Sequence, residues 1–180
     1  IGNSLYTWTS IIGVILAGIS LGNYLGGIIA DRMASRRVVG WIFILAGLAA
    51  FSVIPLGNWM VNHGVPDSLP LQWRIVLYTA GIFFLPSIAL GLISPVLIKL
   101  ALHNLDETGR VVGRVYAASA FGSIVGTFLT GFYLISAFGT RAIILGVGCV
   151  LVALGLIIGR ATFFRRADGV LLTQIEGRRS

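Results

Sequence analysis

Residues 26–37 read GGIIADRMASRR. A run of small and aliphatic residues stops at an acid and a base, and two more bases follow after three intervening residues. Upstream, residues 5–30 carry no charged side chain, and downstream the apolar character resumes at Val38. The upstream run exceeds the roughly 20 apolar residues that a helix needs to cross the hydrocarbon core of a bilayer. The stretch therefore reads as the end of one spanning helix, a short charged connection and the start of the next.

Composition says the same of the whole chain. Hydrophobic residues make up 57% of the 180 and charged residues 11%, against about 25% charged in an ordinary soluble domain. Mean hydropathy is +0.96. A chain of this size has too little polar surface to cover itself in water. It starts at Ile1, without an initiator Met or a basic-then-apolar leader, and is read as a fragment or a processed chain.

Five stretches are long and apolar enough to span: 5–30, 38–61, 75–102, 112–138 and 142–164. The expected fold is an all-α integral membrane protein, a bundle of about five transmembrane helices. Residues 1–164 form the transmembrane domain and 165–180 a cytoplasmic tail or junction. Breakers mark the connections: DRMASRR, NHGVPDSLPLQWR, HNLDETGR and GTR.

Charge sets the orientation. Arg32, Arg36, Arg37, Lys99, Arg110, Arg114, Arg160, Arg165, Arg166, Arg178 and Arg179 fall on one side of such a bundle, and only Arg74 and Arg141 on the other. The positive-inside rule places the N-terminus outside and the C-terminus in the cytoplasm. It also explains the net charge of +7 without nucleic acid as a partner. The expected location is the bacterial plasma (inner) membrane. Trp8, Trp59 and Trp73 sit at the outer ends and Trp41 at an inner end, where aromatic rings settle at the interface; a ligand-lining role is the alternative.

Small residues mark where helices approach. Gly18, Gly22 and Gly26 recur at spacing four, as do Ala118, Gly122 and Gly126, and Gly155 and Gly159. Such grooves serve packing within the chain or dimerisation. Pro86 and Pro95 are expected to kink the third span, as membrane helices often allow, whether or not they flank a transport site. Cys149 is read as a small buried packing residue. Asn23, Tyr24, Asn58 and Ser94 are candidate interhelical hydrogen-bonders.

Catalytic chemistry is absent from the pattern. All six acids lie in connections or the tail; the bases inside spans, Lys99, Arg114 and Arg160, stand near span ends, and Lys99 has a stem long enough to snorkel to the interface. His63 and His103 fall on opposite sides, which excludes a shared metal site. The run GVGCVLVALG, 146–155, lacks the strand and the downstream acid of a nucleotide loop. Catalytic, cofactor-binding and metal-binding residues are all expected to be none, and no cofactor is expected in this chain.

Three blocks carry a resemblance. GNSLYTWTSIIGVILAGISLGNYLGGIIADR (2–32), FLPSIALGLISPVLIKLAL (84–102) and GRVYAASAFGSIVGTFLTGFYLISAFGTR (113–141) resemble the membrane region of spermidine synthase-like proteins fused to a major-facilitator-like domain. The resemblance implies a bundle like half of a major-facilitator transporter, normally preceded by another helix and followed by a cytoplasmic aminopropyltransferase-like domain. Such a domain transfers an aminopropyl group from decarboxylated S-adenosylmethionine to putrescine; its substrate-binding acids and glycine-rich loop have no matching positions here.

GGIIADRMASRR also resembles the cytoplasmic loop motif of the major facilitator superfamily. Gly27, Asp31, Arg32, Arg36 and Arg37 match by type, which implies interhelical charge contacts that govern opening. The chain departs by one residue, since MAS stands where the family has two residues, the second Gly.

The expected function is therefore a non-catalytic membrane domain that anchors or supports a cytoplasmic transferase domain absent from this chain. The alternatives are a structural or accessory subunit of a larger membrane complex, and half of a small-solute transporter, polyamines among the candidate cargoes. Expected partners are the lipid bilayer and other transmembrane helices, supplied by a missing N-terminal helix, a second copy or a larger complex.

Overall fold

The computed structural model describes residues 2–64, 69–102 and 108–176, with side chains described over 5–64, 69–102 and 108–160. Asp67, His103, Asp106, Glu107 and the side chains of Arg165, Arg166, Asp168, Glu176, Arg178 and Arg179 lie outside the described residues. The elements run α1 (Gly2–Met33), α2 (Arg36–His63), α3 (Leu71–Gly91), α4 (Ile93–Ala101), α5 (Thr108–Leu129), a π-helical turn (Thr130–Leu134) and α6 (Ile135–Glu176). The described residues are helical apart from short connections, with no strand among them.

Four helical stretches are long and apolar enough to cross a membrane: Leu5–Met33, Arg36–His63, Leu71–Ala101 and Thr108–Arg160. The fourth, of 53 residues, is interrupted at Gly139. There φ is 73° and ψ 161°, a region open essentially to glycine alone. The breakers expected at 139–141 thus take the form of one non-helical residue. Beyond 164, where the tail was expected to begin, the α6 backbone stays helical to Glu176.

Helix ends follow local chemistry. Ser35 takes extended geometry, φ −146° and ψ 154°, and its hydroxyl accepts the Val38 N–H at 3.3 Å, capping α2. Gly64, at φ 64°, ends α2 by donating its N–H to the Met60 carbonyl at 2.9 Å. Pro70 stands before the first turn of α3, its carbonyl accepting from Trp73 N and Arg74 N. The α3–α4 ladder breaks at Leu92, four residues after Ile88 and three before Pro95. Proline has no N–H to give the Gly91 carbonyl, and its ring crowds that carbonyl. Pro86 lies inside an unbroken α3, and Pro55 likewise inside α2.

The packing order differs from chain order. Among the described residues α1 packs chiefly on α3, α2 on α6 and α3, and α5 chiefly on α4 and the π turn. The core is built of small and branched side chains: Ala30, Val39, Ile42 and the fully buried Val96 in one cluster, Ala46, Ala49 and Ala89 in another. Small side chains let apolar helices approach when lipid removes any hydrophobic drive between them.

Two crossings bring backbones together. A methyl on Gly18 would lie 2.6 Å from Ser87 Cβ, one on Gly22 would strike the Ile88 carbonyl oxygen, and one on Gly26 would lie 2.9 Å from the Leu92 oxygen. Both residue series rise together, so α1 and α3 are parallel. At the α2–α6 crossing a methyl on Gly40 would meet Gly155 O at 2.8 Å, and one on Gly47 would meet Gly148 O at 2.8 Å. Here one series rises as the other falls, so the helices are antiparallel.

The α2–α6 crossing is two-fold symmetric in its details. Exchanging Gly40 with Gly148 and Gly47 with Gly155 maps each contact onto another. Gly47 faces Val152 Cγ2 at 2.7 Å as Gly155 faces Ile44 Cγ1 at 2.7 Å, and Gly40 faces Gly159 where Gly148 faces Phe51. The sequence carries the same repeat. GWIFILAG (40–47) matches GCVLVALG (148–155), and GISLGNYLGG (18–27) matches GSIVGTFLTG (122–131) at Gly18, Gly22, Leu25 and Gly27. Glycines thus recur at the same spacings in α1–α2 and in α5–α6.

Candidate functional site

The charged residues that the sequence singles out meet where α1 ends and α2 begins. Asp31 and Arg32 occupy the last turn of α1, and Arg36 and Arg37 the first turn of α2. Ser35, the last residue of MAS, has a local role as the α2 cap. Capping there places both arginines inside the helix, at the end where the helix dipole disfavours cations. All four side chains are exposed, and Gly27 faces open space.

Asp31 does make an interhelical charge contact. Its Oδ1 accepts from Lys99 Nζ at 3.0 Å, joining the end of α1 to α4 across 68 residues of sequence. The two side chains are 73% and 52% exposed, so the pair holds by about 0.2–1 kcal/mol at most. The sequence reading left Lys99 snorkelling alone. The pairing follows from α4 packing on α1, which brings the last turns of both helices to one level. The contact is made by Lys99 of α4, while Arg36 and Arg37 sit on α2.

The remaining singled-out residues divide clearly. Gly18, Gly22 and Gly26 lie against α3, Leu92 and Pro95, whereas a methyl on Gly122 or Gly126 would meet nothing within 4 Å. No residue of α5 is buried. Gly155 is packed against Gly40, while a methyl on Gly159 would point into open space.

Cys149, expected to be buried, is exposed on α6. Its neighbour Gly148 takes the packed position instead, against the Phe51 ring. Hydroxyls on the bundle bond within their own helices: Ser10 to Tyr6 O, Ser52 to Ala49 O and Thr79 to Ile75 O. The described interhelical hydrogen bonds do not include Asn23, Tyr24, Asn58 or Ser94, and Tyr24 is exposed. Satisfying a hydroxyl on the preceding turn costs no partner helix, which is the simpler solution in a nonpolar medium. His63 sits at the C-terminal end of α2, its Nδ1 3.0 Å from the Trp59 carbonyl oxygen and its ring stacked on the Trp59 indole.

The grooves along the bundle are apolar. One of about 350 Å³ between α2 and α3 is walled by Leu45, Leu48, Leu85, Ile88 and Leu92, with Ser52 as its polar member. A second, about 260 Å³, runs beside the α2–α6 crossing and ends at Arg37 and Arg160. A site for covalent chemistry needs convergent acids, bases or nucleophiles, and these grooves do not supply them.

The architecture defines a bundle of helices long and apolar enough for a membrane, held by glycine crossings and tied at one end by an ion pair. No family model, curated protein or solved structure matches the chain.

Proposed function

We propose that residues 1–164 are the non-catalytic membrane domain of a spermidine synthase-like protein, anchoring a cytoplasmic aminopropyltransferase-like domain carried elsewhere in the native polypeptide. In this reading the chain crosses the bilayer five times, turning at Gly139, with its N-terminus outside and its C-terminus in the cytoplasm. One observation carries it: α6 runs from the apolar span past Arg160 to Glu176 as unbroken helix. The twelve residues beyond 164 extend it by about 18 Å at 1.5 Å per residue, a stalk suited to holding a second domain at a fixed distance from the membrane. The resemblance of the three sequence blocks is what supports an aminopropyltransferase-like domain there.

The recurring glycine spacing supports a sixth helix before α1. The Gly18–Gly22 face of α1 carries α3, and its repeat partner, the Gly122–Gly126 face of α5, is bare. A helix entering α1 from the cytoplasmic side would run parallel to α5, as α3 runs parallel to α1.

The test is the native gene product. Isolated from its own membranes, it should exceed this chain in mass and transfer aminopropyl groups to putrescine from decarboxylated S-adenosylmethionine. A native polypeptide that ends at Ser180, with no co-isolating transferase, overturns the anchoring role. Reporter fusions after Glu176 should be active in the cytoplasmic format and silent in the exported one.

A half-transporter is the second reading, favoured by the Asp31–Lys99 pair and the two-fold repeat. It requires flux of a polyamine or another small solute into reconstituted vesicles, dependent on Asp31. Absence of flux with every partner supplied removes it.

A further inference from the structure

Arg37 and Arg160 close the same groove from two helices. Arg37 stands in the first turn of α2 and Arg160 at the end of the apolar part of α6, and both line the roughly 260 Å³ groove with Trp41. Both side chains are exposed, and neither has a carboxylate partner among the described residues. Below them the groove floor is Gly40, Gly155 and Gly159. The helices approach so closely at Gly40 and Gly155 that no side chain fills the furrow beside them. Trp41, 67% exposed, forms a wall at the level where indoles sit among lipid headgroups.

We propose that this groove binds an anionic phospholipid, its phosphate held between Arg37 and Arg160 and one acyl chain laid along the glycine floor. The charges are complementary: two guanidinium groups offer planar, paired donors that fit phosphate oxygens. The anion also relieves the unfavourable placement of Arg37 at the positive end of the α2 dipole. Basic pockets between spanning helices are sites of this kind. The groove on the other side of α2, lined by Arg36, Val39, Leu97, Leu100, Ile157 and Ile158, holds one base and no tryptophan, and so lacks the second guanidinium. The proposal rests on the bundle lying in a bilayer and is independent of any transferase or transport role.

The test uses the 180-residue chain in nanodiscs of equal phosphatidylglycerol and phosphatidylcholine, extracted gently and weighed with its retained lipids by native mass spectrometry. Phosphatidylglycerol should be retained over phosphatidylcholine by about tenfold or more, the scale of one charge-assisted hydrogen bond. Arg37→Gln with Arg160→Gln should abolish the preference, Arg37→Lys with Arg160→Lys should keep part of it, and Arg36→Gln should leave it intact. Gly159→Leu adds bulk where a methyl meets nothing within 4 Å, so it should displace the lipid without disturbing fold or charge. Circular dichroism and elution volume check that each variant is folded.

Equal retention of the two lipids overturns the proposal. So does an equal loss in Arg36→Gln, which would mark a diffuse surface charge effect. Competition by soluble glycerol phosphate, together with full retention in Gly159→Leu, would assign the arginines to a free phosphate and also overturn it.

Discussion

Asp31, in the last turn of α1, holds Lys99 of α4 at 3.0 Å, although three arginines lie within six residues of it in the sequence. Arg36 and Arg37 are separated from it by the break at Ala34 and Ser35, which starts a new helix axis, and Arg32 is its immediate neighbour on α1. The partner comes instead from the helix that packs on α1. Reversing either charge alone, Asp31→Lys or Lys99→Asp, should lower the thermal midpoint in detergent by the equivalent of about 0.2–1 kcal/mol. The double reversal should restore it. Equal losses in the single and double variants would show that the pair contributes no coupling energy.

Glycine substitutions should sort by what each position meets. Gly22→Leu and Gly155→Leu force side chains into the backbone of α3 and α2, and each should destabilise by roughly 1–3 kcal/mol or more. Gly122→Leu enters open space and should leave the stability of this chain unchanged. In a longer native protein with a helix before α1, the same Gly122→Leu should become destabilising. Denaturant unfolding of the two forms side by side reads the difference directly.

Gly139 should resist replacement for a different reason. No atom crowds it, but its φ of 73° and ψ of 161° exclude a Cβ. Gly139→Ala should cost about 1–3 kcal/mol, whereas Gly131→Ala, helical and uncrowded, should cost nothing beyond experimental scatter. Thermal melts of the two variants separate strain from packing.

Cys149 is exposed on an apolar helix, so it should react with a membrane-soluble maleimide and resist a charged, membrane-impermeant one. Reaction with neither reagent in intact vesicles would put another helix or a second copy over that face of α6.

Part of the fold is legible from hydrophobic length alone. The spans up to residue 102, their charged ends and the Gly18–Gly22–Gly26 groove follow from runs and spacings that any reader can count. The faces do not. In a soluble helix, polarity separates core from surface; here Cys149 and Gly148 are adjacent, both compatible with lipid or helix, and hydrophobicity cannot say which turns inward. The same ambiguity hid the α2–α6 seam, whose glycines at 40, 47, 148 and 155 stand seven apart and escape a search for spacing four. Lys99 was legible as a base near a span end, but its partner depended on which helix lies beside α1.

What the sequence by itself determined is the class of molecule and the apolar runs long enough to span, because transfer of a segment into hydrocarbon depends on its own composition. The Gly18–Gly22–Gly26 spacing and Pro95 also marked one close approach and one break in the ladder. Tertiary structure decided the pairing: α1 with α3, α2 with α6, Asp31 with Lys99, and Arg37 beside Arg160. Those choices rest on shape and close approach between helices that are apolar all round, a property of surfaces in contact and of no single segment.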